Sequence, residues 1–227
     1  MKALPVPPAI AAIAPDGNLT PRQKRRFMLE MALRRAKPGT GSALSFLRRR
    51  TAMNEWPDLR EILVGFDWVI IGGVATRAYM VERMTKNLDI LVRADDGEQV
   101  IRQLMQHGYR KVSELAVPGH LMSSPDGVDV DVLFGDYPWL DEVFTARQTD
   151  PAGYPVIPLP FLVVMKLNAM RPQDWTDISR MLGDISDDDM QRIRSVVSRY
   201  SPEDLDDLES LRYLGQLEYQ DPNGGDA

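Results

Sequence analysis

The chain contains no cysteine and only two histidines, His107 and His120. The first absence excludes a disulfide scaffold and a thiolate zinc centre, and the second leaves too few imidazoles for a histidine-rich metal cluster. A metal would therefore be held by oxygen, which points to Mg²⁺ or Mn²⁺. Long apolar runs are missing too, since none approaches the ~20 residues that a membrane-crossing helix needs. Residues 1–20 are rich in proline and alanine but lack the charged-then-apolar order of a secretory signal, so the expected location is the cytoplasm, with no membrane partner. The net charge of −6 argues against a generic nucleic-acid coat. With 227 residues and 44% hydrophobic content, the chain can bury a sizeable core, as one α/β domain with helical additions or as two small domains.

The overall charge conceals a basic stretch. From Arg22 to Arg50 the chain carries ten lysines and arginines against Glu30 alone. That density suits contacts to RNA phosphates. It equally suits an amphipathic helix that docks through Phe27, Met28, Met31 and Leu33 and turns its arginines to water. Pro38 and Gly39 break this helix before a second basic helical stretch.

The chemistry concentrates further on. Residues 68–71 read as a short buried strand, Gly72-Gly73 as a turn that opens a helix over 74–82, and 87–92 as a second strand. Strand periodicity sets Asn87 and Asp89 on one face and Leu88, Ile90 and Val92 on the other. The strand at 128–133 repeats the pattern, with Asp129 and Asp131 opposite Val128, Val130 and Val132. If the two strands are neighbours their carboxylates converge, and such a cluster calls for a cation. A lone pair of spaced aspartates is more often an exposed, salt-bridged sheet face, and a strand-GG-helix is more often a plain tight turn. It is their order along one chain that carries weight.

That order is Gly72-Gly73-x-Ala75, then Arg83-x-Thr85-x-Asn87-x-Asp89 followed by apolar residues, then a strand bearing Asp131. It resembles the polymerase-β-type nucleotidyltransferase superfamily, and within it the AbiEii/MenT-type toxins, which also carry a helical lysine followed by an arginine and two spaced aspartates, here Lys166, Arg171, Asp174 and Asp177. The resemblance spans 68–182. It implies a mixed α/β sheet flanked by helices and a metal-dependent transfer of a nucleoside monophosphate from an NTP to a hydroxyl, on tRNA in that branch, by a toxin with an antitoxin partner. Residue by residue, it assigns Gly72 and Gly73 to the triphosphate, Arg83 and Thr85 to bracing that loop, Asp89 and Asp131 to Mg²⁺ or Mn²⁺, Lys166 to the departing phosphates, and Asp174 and Asp177 to the nucleotide. Two positions depart from the pattern: Gly73 stands where many members have serine, and Asn87 where the first metal-binding aspartate is expected. An amide oxygen at Asn87 would be a neutral and weaker metal ligand. Asp129, two residues before Asp131 on the same face, is a candidate to restore the missing charge and to help activate the hydroxyl.

The remaining segments read as a tail over 1–20, the basic helical arm over 21–56, the sheet core over 57–157, a C-terminal helical region over 158–220 and a tail over 221–227. Within the core, helices are predicted over 57–63 and 97–108 and further strands over 109–115 and 120–123. Pro172 should end the helix over 161–170, and the next should run over 175–182, with Asp174 as its N-cap and Asp177 beside the helix dipole if neither has a chemical role. Lys166, in isolation, would snorkel to solvent. Ser186 and Ser201 should each cap an acidic-fronted helix, ending near Tyr200 and Tyr219. Trp139 and Trp175 read as core or wall residues.

Overall fold

The computed structural model describes residues 8–39, 56–81, 85–169 and 171–220. Its elements in chain order are helices α1 (Pro8–Ala11) and α2 (Pro21–Arg35), strand β1 (Trp68–Ile71), helix α3 (Gly72–Ala75), strand β2 (Asn87–Arg93), helix α4 (Gly97–Gln106), and strands β3 (Arg110–Glu114), β4 (Gly119–Ser123) and β5 (Asp129–Gly135). Then come helix α5 (Leu140–Thr145), the short strands β6 (Gln148–Thr149) and β7 (Pro155–Val156), and helices α6 (Leu159–Ala169), α7 (Pro172–Leu182), α8 (Asp187–Tyr200) and α9 (Leu205–Tyr219). The chain forms two compact units, Ser42–Met165 on its own and Met1–Gly41 together with Lys166–Ala227. Residues 21–41 of the predicted arm and 166–220 of the predicted C-terminal region thus belong to one unit.

The Ser42–Met165 unit is built on a seven-stranded sheet in the order β3-β4-β5-β2-β1-β7-β6. β2 and β5 pair in parallel, as do β1 and β7, and the other pairs are antiparallel. This is the mixed α/β sheet flanked by helices that the resemblance implies. Alternation explains it: Leu88, Ile90, Val92, Val130 and Val132 are fully buried on one face, while Asn87, Asp89, Asp129 and Asp131 form a polar patch on the other, which Leu91 closes off as a further buried residue. α4 packs on β2, β3 and β5, burying Val100, Ile101 and Leu104 from one side of the helix. Each such side chain contributes about 1.5–3 kcal/mol relative to exposure.

Several local expectations fail for identifiable reasons. Residues 57–63 form turns rather than a helix, because the Asp58 carboxylate accepts the Arg60 N–H at 3.0 Å and offers the backbone an alternative to helical bonding. The helix expected over 74–82 starts earlier, at Gly72, and gives way to a 3₁₀ turn over Thr76–Ala78. There the Thr76 hydroxyl donates back to the Gly73 carbonyl at 2.7 Å. The N-terminal tail contains α1, and Pro172 starts α7 instead of merely ending α6, occupying the first turn where its missing N–H costs nothing. The second basic stretch with Arg48–Arg50, Arg83, and the tail over 221–227 lie outside the described residues. Among the described residues no helix is long and apolar enough to cross a membrane.

In the other unit, α2 begins with a capping box: Thr20 accepts from the Gln23 N–H at 3.2 Å, and the Gln23 side chain accepts from the Thr20 N–H at 2.8 Å. α2 docks on α9, and α9 on α7. Gly215 permits the second contact, since a Cβ there would overlap the Ser179 carbonyl. Arginines from the basic arm turn inward. Arg25 is fully buried; it donates to Asp207 at 2.6 Å, to the Leu167 carbonyl at 2.8 Å and to Asp204. Arg22 pairs with Glu203 and Asp204, and Arg26 with Asp206 and Asp207. The helix docks, but not as the sequence suggested: its buried residues are Arg25 and Leu29, while Phe27 and Met28 line an open apolar groove of about 470 Å³ with Pro172 and Trp175. Trp175 is a wall residue there, and Trp139, in the sheet unit, is buried and stacked on Tyr137.

Removing one partner of a buried ion pair leaves an uncompensated charge, which costs about 3–5 kcal/mol. Arg25→Ala should therefore lower the urea midpoint sharply, whereas Arg35→Ala, on the exposed end of the same helix, should leave it unchanged. Equal midpoints would show that the Arg25 cluster does not hold α2 to α9.

Candidate active site

The parallel pairing of β2 with β5 sets Asn87 opposite Asp129 and Asp89 opposite Asp131. Because the alternation is in phase on both strands, all four side chains share the polar face. Asp89 and Asp131 are direct register partners on neighbouring strands and lie side by side on that face. The Asn87 amide nitrogen joins them, donating to Asp131 at 2.6 Å and to Asp89 at 3.2 Å. Burial pushes the Asp131 carboxyl above its ordinary range, the hydrogen bonds from Asn87 and Asp89 pull it back, and the charge of Asp129 pushes it up again. With a raised folded-state value, the stability this group contributes is present below the ordinary carboxylate range and is lost as pH rises through the raised value.

β1 brings the glycine turn to the same place, since its last residue, Ile71, is the register partner of Asp89. Gly72 follows with φ +64°, and a Cβ there would overlap the Asp89 carboxylate. Both features demand glycine. Gly73 is buried in α3, which has four residues and no side-chain cap at its N-terminus. So short a helix has little dipole of its own, and local N–H groups and the absence of side chains are what the turn can offer an anion.

The structure thus brings Gly72, Asn87, Asp89, Asp129 and Asp131 together, with Asp129 exposed and the other acids half-buried. Thr85 is half-buried immediately ahead of β2. Lys166, Asp174 and Asp177 form a cluster of their own in the helical unit. Lys166 is 3% exposed and does not snorkel; it donates to Asp174 at 2.9 Å and Asp177 at 2.7 Å. Asp174 also accepts from Arg171 at 2.7 Å. The N-cap of α7 is Arg171, so Asp174 is a buried ion-pair partner within the first turn and not a cap.

A brace beside the turn escaped sequence reasoning. Arg77, in the 3₁₀ turn after α3, donates to the buried Asp150 at 2.5 Å, and Asp150 accepts the Ala152 and Tyr154 N–H groups at 2.9 and 2.8 Å. Asp150-Pro-Ala-Gly153 is a recognisable turn sequence, but nothing local links it to an arginine so distant in the chain. Tyr79 adds a hydrogen bond to the Ile157 carbonyl at 2.6 Å, and its burial raises its phenol well above the usual range.

The donor set fits a hard divalent cation. Among the described residues no three His, Asp or Glu side chains form a closed cage. The two carboxylates Asp89 and Asp131 are nonetheless the partial set that suits Mg²⁺, which retains waters and shares phosphate oxygens. Carboxylates set side by side on one face repel each other, and a cation between them relieves that repulsion.

No protein-family model matches the chain, nor does any curated protein. Among solved structures it is similar to ANT(2'')-Ia in complex with adenylyl-2''-tobramycin, at 16% identity over 68% of this chain and 89% of that chain, with a TM-score of 0.37. The solution structure of the antibiotic-resistance factor ANT(2'')-Ia gives 16% over 71% and 90%, with 0.40. A putative nucleotidyltransferase from Thermotoga maritima gives 15% over 51% and 84%, with 0.39. Likeness at this level carries no argument, and the site stands on its own geometry.

Two glycines separate backbone strain from steric overlap. Gly127 has φ +81° and open space around a would-be Cβ, whereas Gly72 combines positive φ with the Asp89 overlap. Gly127→Ala should cost about 1 kcal/mol, the ordinary penalty of left-handed backbone, and Gly72→Ala distinctly more. Thermal denaturation of both variants checks this, and equal costs would mean that Asp89 readily leaves Gly72.

Proposed function

We propose that the chain is a metal-dependent nucleotidyltransferase that moves a nucleoside monophosphate from an NTP to a hydroxyl. The observation that carries this reading is the side-by-side pairing of Asp89 and Asp131 next to Gly72, whose missing side chain gives Asp89 its position. Attack of a hydroxyl on an α-phosphorus builds charge on the attacking and leaving oxygens, so positioning and electrostatics supply most of the rate. Mg²⁺ or Mn²⁺, when bound, neutralises that charge. Asp89 and Asp131 would hold it. Gly72 and Gly73 leave the phosphates room to approach the backbone, and Asp129, exposed on the same face, accepts the proton of the attacking hydroxyl. Lys166 receives a different part from the one the resemblance implies: held by Asp174 and Asp177, it fastens α6 to α7.

For the acceptor we propose RNA, and tRNA in particular, with an antitoxin as the silencing partner. Both follow from the AbiEii/MenT-type resemblance. The charge available for RNA is smaller than the composition implies, because Arg22, Arg25 and Arg26 are paired within their own unit. A second reading, a protein that binds nucleotides without turnover, is favoured by Asn87, whose amide stands where a third carboxylate would complete the site.

Incubation with each labelled NTP, Mg²⁺ or Mn²⁺ and total tRNA tests the proposal, with total protein and aminoglycosides as alternative acceptors. Label should enter tRNA, and Asp89→Asn and Asp131→Asn should each lower transfer by at least about a hundredfold with the unfolding midpoint retained. NTP binding without transfer to any acceptor would favour the second reading. Undiminished transfer in both variants would remove these aspartates from the mechanism.

A further inference from the structure

We infer that the Asn87 side-chain amide is a built-in stand-in for a cation, clamping Asp89 and Asp131 together and releasing them when a divalent ion enters. The inference rests on the reading of this site as a divalent-cation site. It gives Asn87 a role opposite to that of a ligand: a positioning residue that competes with the ion.

The geometry leaves one orientation for the amide. Nδ2 lies 2.6 Å from Asp131 and 3.2 Å from Asp89, and ionised carboxylates only accept hydrogen bonds, so an amide oxygen turned towards them would face acceptors with an acceptor. The neighbouring network therefore assigns the nitrogen to this side. The lone pairs that receive those two N–H bonds are among those a cation between Asp89 and Asp131 would need. One occupant must yield to the other. Released, Asn87 has a second acceptor within its reach along the ladder, because its register partner on β5 is Asp129. Ion entry would thus hand the amide from the paired carboxylates to the exposed one.

Competition of this kind has a definite sign. When the ion-competent state is only a fraction of the whole, the apparent affinity falls by that fraction. An amide that competes weakens ion binding, whereas an amide oxygen that coordinates strengthens it. Deleting the amide consequently moves affinity in opposite directions under the two roles.

The experiment is a Mn²⁺ titration of the metal-free full chain by calorimetry, paired with thermal denaturation with and without Mn²⁺, on wild type, Asn87→Ala and Asn87→Val. The valine variant preserves strand propensity if alanine proves too disruptive. With the clamp removed, the metal-free midpoint should fall. Mn²⁺ affinity should rise at least about tenfold, the scale of one lost bond to a charged acceptor, and Mn²⁺ should restore the midpoint. Binding by the variants where wild type shows none supports the clamp as well. Weaker or unchanged Mn²⁺ binding in both variants, with wild type binding normally, overturns the clamp and leaves the functional reading in place. Absence of Mn²⁺ binding and of any Mn²⁺-induced midpoint shift in all three proteins overturns both.

Discussion

Parallel strands lie about 4.8 Å apart, and the register of β2 against β5 obliges Asp89 and Asp131 to share that interval on one face. Much of the sheet unit's polar side follows from this repulsion. Gly72 surrenders a side chain so that Asp89 has somewhere to lie, Asn87 contributes N–H donors where water is partly excluded, and the Asp131 carboxyl is raised. The apolar side of the same strands makes the arrangement stiff. Leu88, Ile90, Val130 and Val132 are fully buried, so a slip of one residue that relieved the carboxylates would turn four core side chains to the polar face. The register is held by the core, and the acids must accept it.

This division explains what could be read in advance. The alternation over 87–92 and 128–133 was sufficient to predict both strands and the facing of their acids, because strand periodicity is local. The Thr20 to Gln23 capping signature and the Ser186 cap of α8 were legible for the same reason, whereas Ser201, expected to cap α9, makes no capping bond and α9 begins after Asp204. Three features were not. The Asp58 side chain diverted a segment that reads as helix. The destination of Arg25 depended on Asp204 and Asp207, far away in the sequence. Lys166 read as a lone cation in an apolar helix, yet it is enclosed by aspartates on the following one. In each case a polar side chain chose a partner, and the sequence shows which groups need partners without showing which ones they find. The residues of the glycine turn and its aspartates were found because their pattern is short-range; the Arg77–Asp150 brace was missed because it is not.

Two carboxylates bridged by one buried or half-buried donor recur in both units, and comparing the donors argues for where chemistry belongs. Arg25 lies between Asp204 and Asp207, and Lys166 between Asp174 and Asp177. Each of those donors brings a full positive charge, and both are almost completely buried. Removing either would leave its aspartates with uncompensated charge, so these clusters serve to hold helices in place. Asp89 and Asp131 share the Asn87 amide, which satisfies lone pairs without supplying charge. They are also half-buried and not sealed. A closed, charge-balanced cluster has nothing to gain from an ion. The Asp89 and Asp131 pair, half-buried and bordered by a glycine turn, keeps the access through which a cation could arrive.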